Sequence, residues 1–282
     1  MLKHLVIGST PFRNIVFSYY FIEKNFGNFK DHLKFYSAFP PQLGEMVLNN
    51  EIDIAPISSI LYAKHPENFL ILPDFSISAK GKTGSIILVS LKSMDEISSV
   101  CLPSNSATSI AVLKIILKVK GIDAKFKISV SSGANQFNVS NVSNAFDDCD
   151  AALFIGDDGI SAKEKFKNLN VIDLGEEWNK ITGKGMVYAL WLVNKKSAEE
   201  MSEEIKWFSE LFTTSLNYAY KNFGAVIDEI KGNLKMEKVK FHILNLSYNL
   251  GKEQINALLN FYEYAKRYEI IYDVPKLNFF KI

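Results

Sequence analysis

Short apolar runs recur along this chain, several of them ending at a glycine or a hydroxyl side chain before an amphipathic segment begins. Leu5-Val6-Ile7-Gly8 leads into a segment carrying Ile15, Phe17, Tyr20 and Phe21. Leu33 to Ala38 is a second extended run, and Pro40-Pro41 then opens a helix through Leu43, Met46, Val47 and Leu48. Ile52-Asp53-Ile54-Ala55-Pro56-Ile57 runs into Ser58-Ser59 and a short helix. Apolar runs this short fit strands buried on both faces, whereas spacings of three and four fit helices with one face inward. Strand and helix in alternation predict an α/β lobe built on a largely parallel sheet.

A second series follows. Gly84 to Ser90 and Val100-Cys101-Leu102-Pro103 read as strands, and a helix runs from Ile110 to Val119 with Ile110, Leu113, Ile116 and Leu117 on one face. Phe126 to Val130, Ala151 to Asp157 and Val171 to Gly175 are further strand candidates. Met186 to Val193 is the last strong one, and from Ala198 the chain reads almost wholly helical. This order predicts an inserted arrangement: residues 1–89 begin the first lobe, 90–189 form a second, and 190–282 return to the first. The two crossings would lie near Ser90 and Tyr188, with a ligand held between lobes at the carboxyl ends of the strands. A single continuous sheet without a cleft is the alternative that periodicity leaves open.

Composition narrows the partners. The 32 basic and 31 acidic side chains nearly cancel, so neither nucleic acid nor an anionic membrane is expected. Only Arg13 and Arg267 are arginine, which leaves few bidentate clamps for a polyanion. A small carboxylate held by hydroxyls and backbone N–H groups is easier to build. Cys101 and Cys149 have no metal-ligand spacing; two buried reduced thiols are expected, with a disulfide as the alternative. The N-terminal apolar run is cut short by Pro11 and lacks the pattern of an export signal, so a cytoplasmic location is expected.

The polar clusters fall at strand ends: Ser9-Thr10 with Asn14, Ser58-Ser59, Ser85, Ser104 to Ser109, and Gly156-Asp157-Asp158. Ser106, Thr108 and Ser109 stand where a helix begins, which suits either a carboxylate site or an ordinary N-cap. Asn14, Ser85 and Asp157 each have an equally simple local reading as turn or cap residues. The four histidines are His4, His32, His65 and His242, so residues 66–241 offer no histidine base. No metal spacing, P-loop or dinucleotide fingerprint is present, and neither metal nor cofactor is expected.

The strings themselves carry more. Asp173-Leu174-Gly175-Glu176-Glu177-Trp178-Asn179-Lys180-Ile181-Thr182-Gly183 running into Val187 to Trp191, Glu51 to Ala63, Ile77 to Ser90, Asp150 to Asp157, and Leu246 to Gly251 together resemble the menaquinone-biosynthesis family that dehydrates chorismate on the futalosine route. The resemblance implies a two-lobed type II periplasmic-binding-protein-like fold, each lobe a mixed, mostly parallel sheet flanked by helices. It implies a lyase that converts chorismate to 3-(1-carboxyvinyloxy)benzoate. Asn14 and Ser85 match active-site positions of the family, and Thr108-Ser109 match its carboxylate-holding pair. Ser58, Ser59, Ser106 and Gly156 are expected to contribute to substrate binding. Departures from the family pattern fall at Ala107, at Ile15-Val16-Phe17 and at Gly185-Met186. The ring proton is expected to go to the substrate's own enolpyruvyl carboxylate, with Asp157 as the protein-borne rival. Two other readings are a non-catalytic carboxylate binder and the related 1,4-dihydroxy-6-naphthoate synthase. The latter depends on a cleft histidine, which the histidine distribution disfavours.

Overall fold

The computed structural model describes residues 4–128, 146 and 149–282. The first half-lobe follows the alternation expected from sequence: β1 (Leu5–Ser9), α1 (Arg13–Lys24), β2 (Leu33–Ser37), α2 (Pro40–Leu48), β3 (Ile54–Ser58) and α3 (Ser59–Lys64). β1 lies parallel to both β2 and β3, as short strand–helix–strand connections require. Two long strands complete the sheet from further along the chain. These are β4 (Phe69–Ala79) and β10 (Met186–Asn194), and β11 (Ser247–Leu250) forms the edge, giving the order β11-β4-β10-β3-β1-β2.

The second sheet has the order β7-β6-β8-β5-β9, from β5 (Ile86–Ser90), β6 (Ser99–Leu102), β7 (Lys125–Ile128), β8 (Ala151–Ile155) and β9 (Asn170–Asp173). The helices α4 (Ala107–Val119), α5 (Gly156–Lys165) and α6 (Leu174–Thr182) belong with it. After β10 come α7 (Lys195–Glu200), α8 (Ser202–Lys221), α9 (Phe223–Ile230), α10 (Met236–Asn245) and α11 (Lys252–Arg267). Both sheets are mixed. Their parallel share is smaller than expected, because β4, β10 and β11 pair antiparallel in the first sheet and β5 pairs antiparallel with β8 and β9 in the second.

Several expectations are corrected. β5 pairs wholly within the second sheet, and β10 pairs along its length within the first. The crossings therefore lie between Ala79 and Ile86 and between Thr182 and Met186, not near Ser90 and Tyr188. Both strands are apolar on each face, so periodicity does not reveal which sheet they join. β4 is absent from the sequence reading because Pro73 and Asp74, the latter at φ 68°, interrupt its alternation; its register with β10 slips across that point, between Ile71 and Ser76, and its register with β11 slips between Phe75 and Ser78. β11, at four residues, is too short to announce itself among helices. The expected strand from Phe126 begins one residue earlier and is described to Ile128, its last position lying outside the described residues. Cys101 and Cys149 form a disulfide, with Cα atoms 5.9 Å apart. Parallel pairing of β6 with β8 puts Cys101 opposite Ala152, which brings the start of β8 beside it.

The first-lobe core is aromatic. Trp191 Nε1 donates to Tyr19 Oη at 2.7 Å, and the Phe212 ring packs 4.8 Å from Trp191 and 5.1 Å from Tyr19. All three side chains are fully buried. This cluster clamps α1 and α8 to β10, so the start of α1 is held rigidly over the strand ends. Among the described residues, no helix is long and apolar enough to cross a membrane.

Candidate active site

Strand-to-helix junctions of both lobes meet at one cleft. Phe12 and Asn14 come from the start of α1, Pro40 from α2, Ser58 from the cap of α3, Ser106 and Ser109 from α4, and Ile155 and Gly156 from α5. The cleft holds about 660 Å³ of space, counting what is open to solvent. Helix starts present unpaired N–H groups and the positive end of the helix dipole. A cleft ringed by them favours anions without needing many cationic side chains.

Asp173 organises one wall. It caps α6, accepting from the N–H groups of Gly175 at 3.0 Å and Glu176 at 3.4 Å. It also accepts from Thr83 N at 3.1 Å, Thr83 Oγ1 at 3.3 Å and Gly84 N at 2.8 Å. Thr83 Oγ1 in turn accepts from Ser85 N at 3.3 Å and Ile86 N at 3.1 Å. The crossing segment is thereby pinned with Ser85 at the cleft. Gly159 seals this arrangement, since a Cβ there would stand 2.0 Å from the Ser85 carbonyl oxygen. Opposite, the Asn14 carbonyl accepts from Tyr248 Oη at 2.8 Å, which fixes the first turn of α1.

The expected anion site divides. Ser106 and Ser109 line the cleft. Ser106 donates to Ser109 Oγ at 2.8 Å and makes no side-chain cap to the first turn of α4, so its hydroxyl is not spent as an N-cap. Thr108 instead accepts from Ile60 N at 3.2 Å, and Ser59 donates to the Val187 carbonyl at 2.7 Å. Both are buried, neither lines the cleft, and together they stitch the lobes at its back. Trp178 on α6 packs against Phe261 and Tyr264 of α11 at 5.9 and 5.3 Å on the same closed side.

Asp157 is also placed away from the lining. Its Oδ2 accepts from Arg13 at 3.1 Å (Nε) and 2.9 Å (Nη2), which joins the mouth of the cleft from α1 to α5. Burial pushes its carboxyl above the usual range while Arg13 opposes the rise. Gly156 adopts φ 59°, and a Cβ there would stand 2.7 Å from the Phe12 ring. Neighbouring Asp158 is pushed up to about 7, by burial first and then by the Asp157 charge, with Lys165 opposing. A carboxyl whose folded pKa is raised is destabilising when ionised, so the cost is absent below the ordinary value and full above about 7. Asp158→Asn is therefore expected to raise the melting temperature at pH 8 and to change it little at pH 4, as read by calorimetry at both.

The sequence reading named Thr10 in a strand-end cluster without giving it a role, and passed over Tyr188 and His242 as cleft groups. Thr10 Oγ1 and Tyr188 Oη are buried without partners and belong to residues that line the cleft; leaving a buried hydroxyl unpartnered is costly. Burial keeps the Tyr188 phenol protonated far above neutrality, so it is a donor. His242, on α10, lines the cleft as well. Its Nδ1 lies 2.9 Å from the Thr83 carbonyl oxygen, and burial pushes the imidazole below its ordinary range against the opposing effects of that bond and of Asp173. The cleft thus has a histidine after all. It comes from the returning C-terminal helices, outside the chain range where one was sought. The signal available was its place on the apolar stripe Val239-His242-Ile243 of α10.

Residues 5–267 match the model of a family described as menaquinone biosynthesis. The chain belongs to the menaquinone-biosynthesis family. One curated relative of this family member, the chorismate dehydratase of Thermus thermophilus, is 24% identical over 211 residues, covering 70% of this chain and 72% of the relative. Among solved structures, a protein from Archaeoglobus fulgidus aligns with TM-score 0.74 at 18% identity, over 95% of this chain and 98% of the other. A Candida albicans protein described as having the generic periplasmic binding protein fold aligns at 0.70 and 14%, over 100% and 98%. The periplasmic aliphatic sulphonate binding protein of Escherichia coli aligns at 0.66 and 12%, over 99% and 96%. The menaquinone-biosynthesis chain therefore has the two-lobed binding-protein-like fold that the resemblance implied.

Proposed function

We propose that this chain is a cytoplasmic lyase that dehydrates chorismate to 3-(1-carboxyvinyloxy)benzoate on the futalosine route to menaquinone. The observation that carries the reading is the convergence of helix starts from both lobes on one cleft whose lining residues include the unpartnered hydroxyls of Thr10 and Tyr188, in a menaquinone-biosynthesis family member. Chorismate presents two carboxylates and a ring hydroxyl, and a cleft of this kind supplies donors to each without a cationic clamp.

In this reading the start of α4, with Ser106 and Ser109, takes one carboxylate. Asn14 and Ser85, from opposite lobes, hold the second carboxylate or the departing hydroxyl, and Ser58 and Gly156 complete the wall. Thr108 and Ser59 act indirectly, by fixing α4 against α3. Asp157 closes the mouth through Arg13. Loss of the ring hydroxyl and the neighbouring ring proton makes the ring aromatic, so orientation, water exclusion and charge stabilisation are the main demands on the protein.

Purified protein incubated with chorismate is expected to yield a species lighter by one water in chromatography with mass detection. Asn14→Ala is expected to lower that turnover by about 100-fold or more, the scale of losing one preorganised donor. Chorismate that binds but stays intact would instead identify a carboxylate binder. A second reading gains from His242: the related 1,4-dihydroxy-6-naphthoate synthase needs a cleft histidine, and one lines this cleft. The dehydratase relative keeps chorismate first, and no turnover of chorismate would turn the assay to later pathway intermediates.

A further inference from the structure

Two consecutive residues at the start of α1 meet two consecutive residues at the start of α5 across the mouth of the cleft. Arg13 pairs with Asp157, and beside that ion pair the Phe12 ring lies against Gly156. A Cβ at Gly156 would stand 2.7 Å from Phe12 Cδ1 and 2.8 Å from Cε1, far inside carbon–carbon contact. Gly156 also holds φ 59°, a left-handed backbone that side chains disfavour. Space and backbone thus each call for glycine where the ring arrives. Phe12 caps α1, and its carbonyl accepts from Ile15 N at 2.9 Å and Val16 N at 3.0 Å. The ring therefore hangs from a fixed point of the first lobe. The Phe39 ring, at the start of α2, backs it with centroids 5.9 Å apart. Phe12 and Gly156 both line the cleft, and Phe12 is half-buried.

We propose that Phe12 is the gate residue of the cleft: its ring seats on Gly156 of the opposite lobe and shuts the bound substrate from water. Gly156 is the bare seat that receives it. The identity of that substrate rests on the dehydratase reading. Ring and ion pair divide the work of closing. Arg13 and Asp157 attract one another over a distance, whereas a ring edge on a glycine acts only in contact and leaves no polar group unpaired. Phe12 offers no hydrogen bond, so it does not compete with Asn14, Ser85 or the helix starts for the substrate's oxygens. Shutting out water strengthens each of those polar contacts. Phe12 is a positioning residue, and no bond of the elimination is made or broken through it.

A cycle of single and double substitutions tests the seat. With chorismate as the probe, kcat/KM is expected to fall about 10-fold in Phe12→Ala, the worth of about half a phenylalanine's burial. It should fall about 100-fold in Gly156→Ala, the scale of an overpacked contact, because the added methyl group holds the ring off. Removing the ring relieves that methyl group. Phe12→Ala combined with Gly156→Ala should therefore stay near the Phe12→Ala value, where independent losses would multiply to about 1000-fold. Phe12→Leu leaves Gly156 untouched and should lose less than Phe12→Ala. Small-angle scattering reads the lobes without turnover: Gly156→Ala should show a larger radius of gyration than wild type, and the second substitution should bring it back. Losses that multiply in the doubly substituted protein, as backbone strain alone would give, overturn the gate. So does a Phe12→Ala kcat/KM within about twofold of wild type. Wild-type protein that leaves chorismate unconverted overturns the dehydratase reading instead. Scattering then still decides the gate, since equal radii for wild type and Gly156→Ala overturn it.

Discussion

Asp173→Ala is expected to lower the unfolding free energy by about 3–5 kcal/mol, the scale of removing a buried hydrogen-bonded carboxylate and orphaning its donors. The side chain is buried and accepts from five donors: the N–H groups of Thr83, Gly84, Gly175 and Glu176, and the Thr83 hydroxyl. Two of these form the cap of α6, whose loss alone costs about 0.5–2 kcal/mol. The remainder hold the crossing segment that presents Ser85. For a chain of this size the melting temperature should drop by roughly 10 °C. Asp173→Asn keeps the shape and part of the acceptor capacity, so it should recover some of the stability while weakening the pull on the Thr83–Gly84 peptide. Differential scanning calorimetry of the two variants separates these effects. An alanine variant that melts within about 2 °C of wild type would mean that water replaces the carboxylate at little cost, and that Asp173 does not organise this wall.

The second large effect is at the mouth of the cleft. Arg13→Glu sets a carboxylate against Asp157 and should raise KM for chorismate by about 10- to 100-fold, with a smaller change in kcat. The magnitude follows from replacing a half-buried attraction with a repulsion, about 1.4–2.7 kcal/mol by the tenfold-per-1.4 conversion. Arg13 and Asp157 are 24% and 18% exposed, so the pair is screened less than a surface bridge but more than a core one. The exchanged double variant, Arg13→Asp with Asp157→Arg, should recover much of the lost affinity. Small-angle scattering should record a larger radius of gyration for Arg13→Glu than for wild type without ligand. Equal KM values for wild type and Arg13→Glu would remove the pair from any part in closure.

The parts of this fold that follow local rules were legible in the sequence. β1 to α3 came from apolar runs and helical spacing, and the polar residues at strand ends pointed to a shared cleft that the helix starts then formed. What stayed hidden depends on distance along the chain. β4 is masked by Pro73 and Asp74, whose effect is a register slip that its partner β10 absorbs. His242 was set aside because it lies far from the second lobe in sequence, yet the return of the chain to the first lobe brings it to the cleft. Thr108 and Ser59 carry the right chemistry for an anion, but the Thr108 hydroxyl is spent on α3 and the Ser59 hydroxyl on β10. Asp173 stood in the most family-like string without any sign of its work, because its partners at Thr83 and Gly84 are ninety residues away.

Asp173 ends a strand of the second sheet, whereas His242 rides on a helix of the returning first lobe. The Thr83–Gly84 peptide that links them is part of the strand-to-strand crossing, bonded on its N–H side to the second sheet and on its carbonyl side to a helix of the first lobe. A substitution at either end is therefore felt at the seam between the lobes, and the two halves of the molecule share one amide as their common fastening.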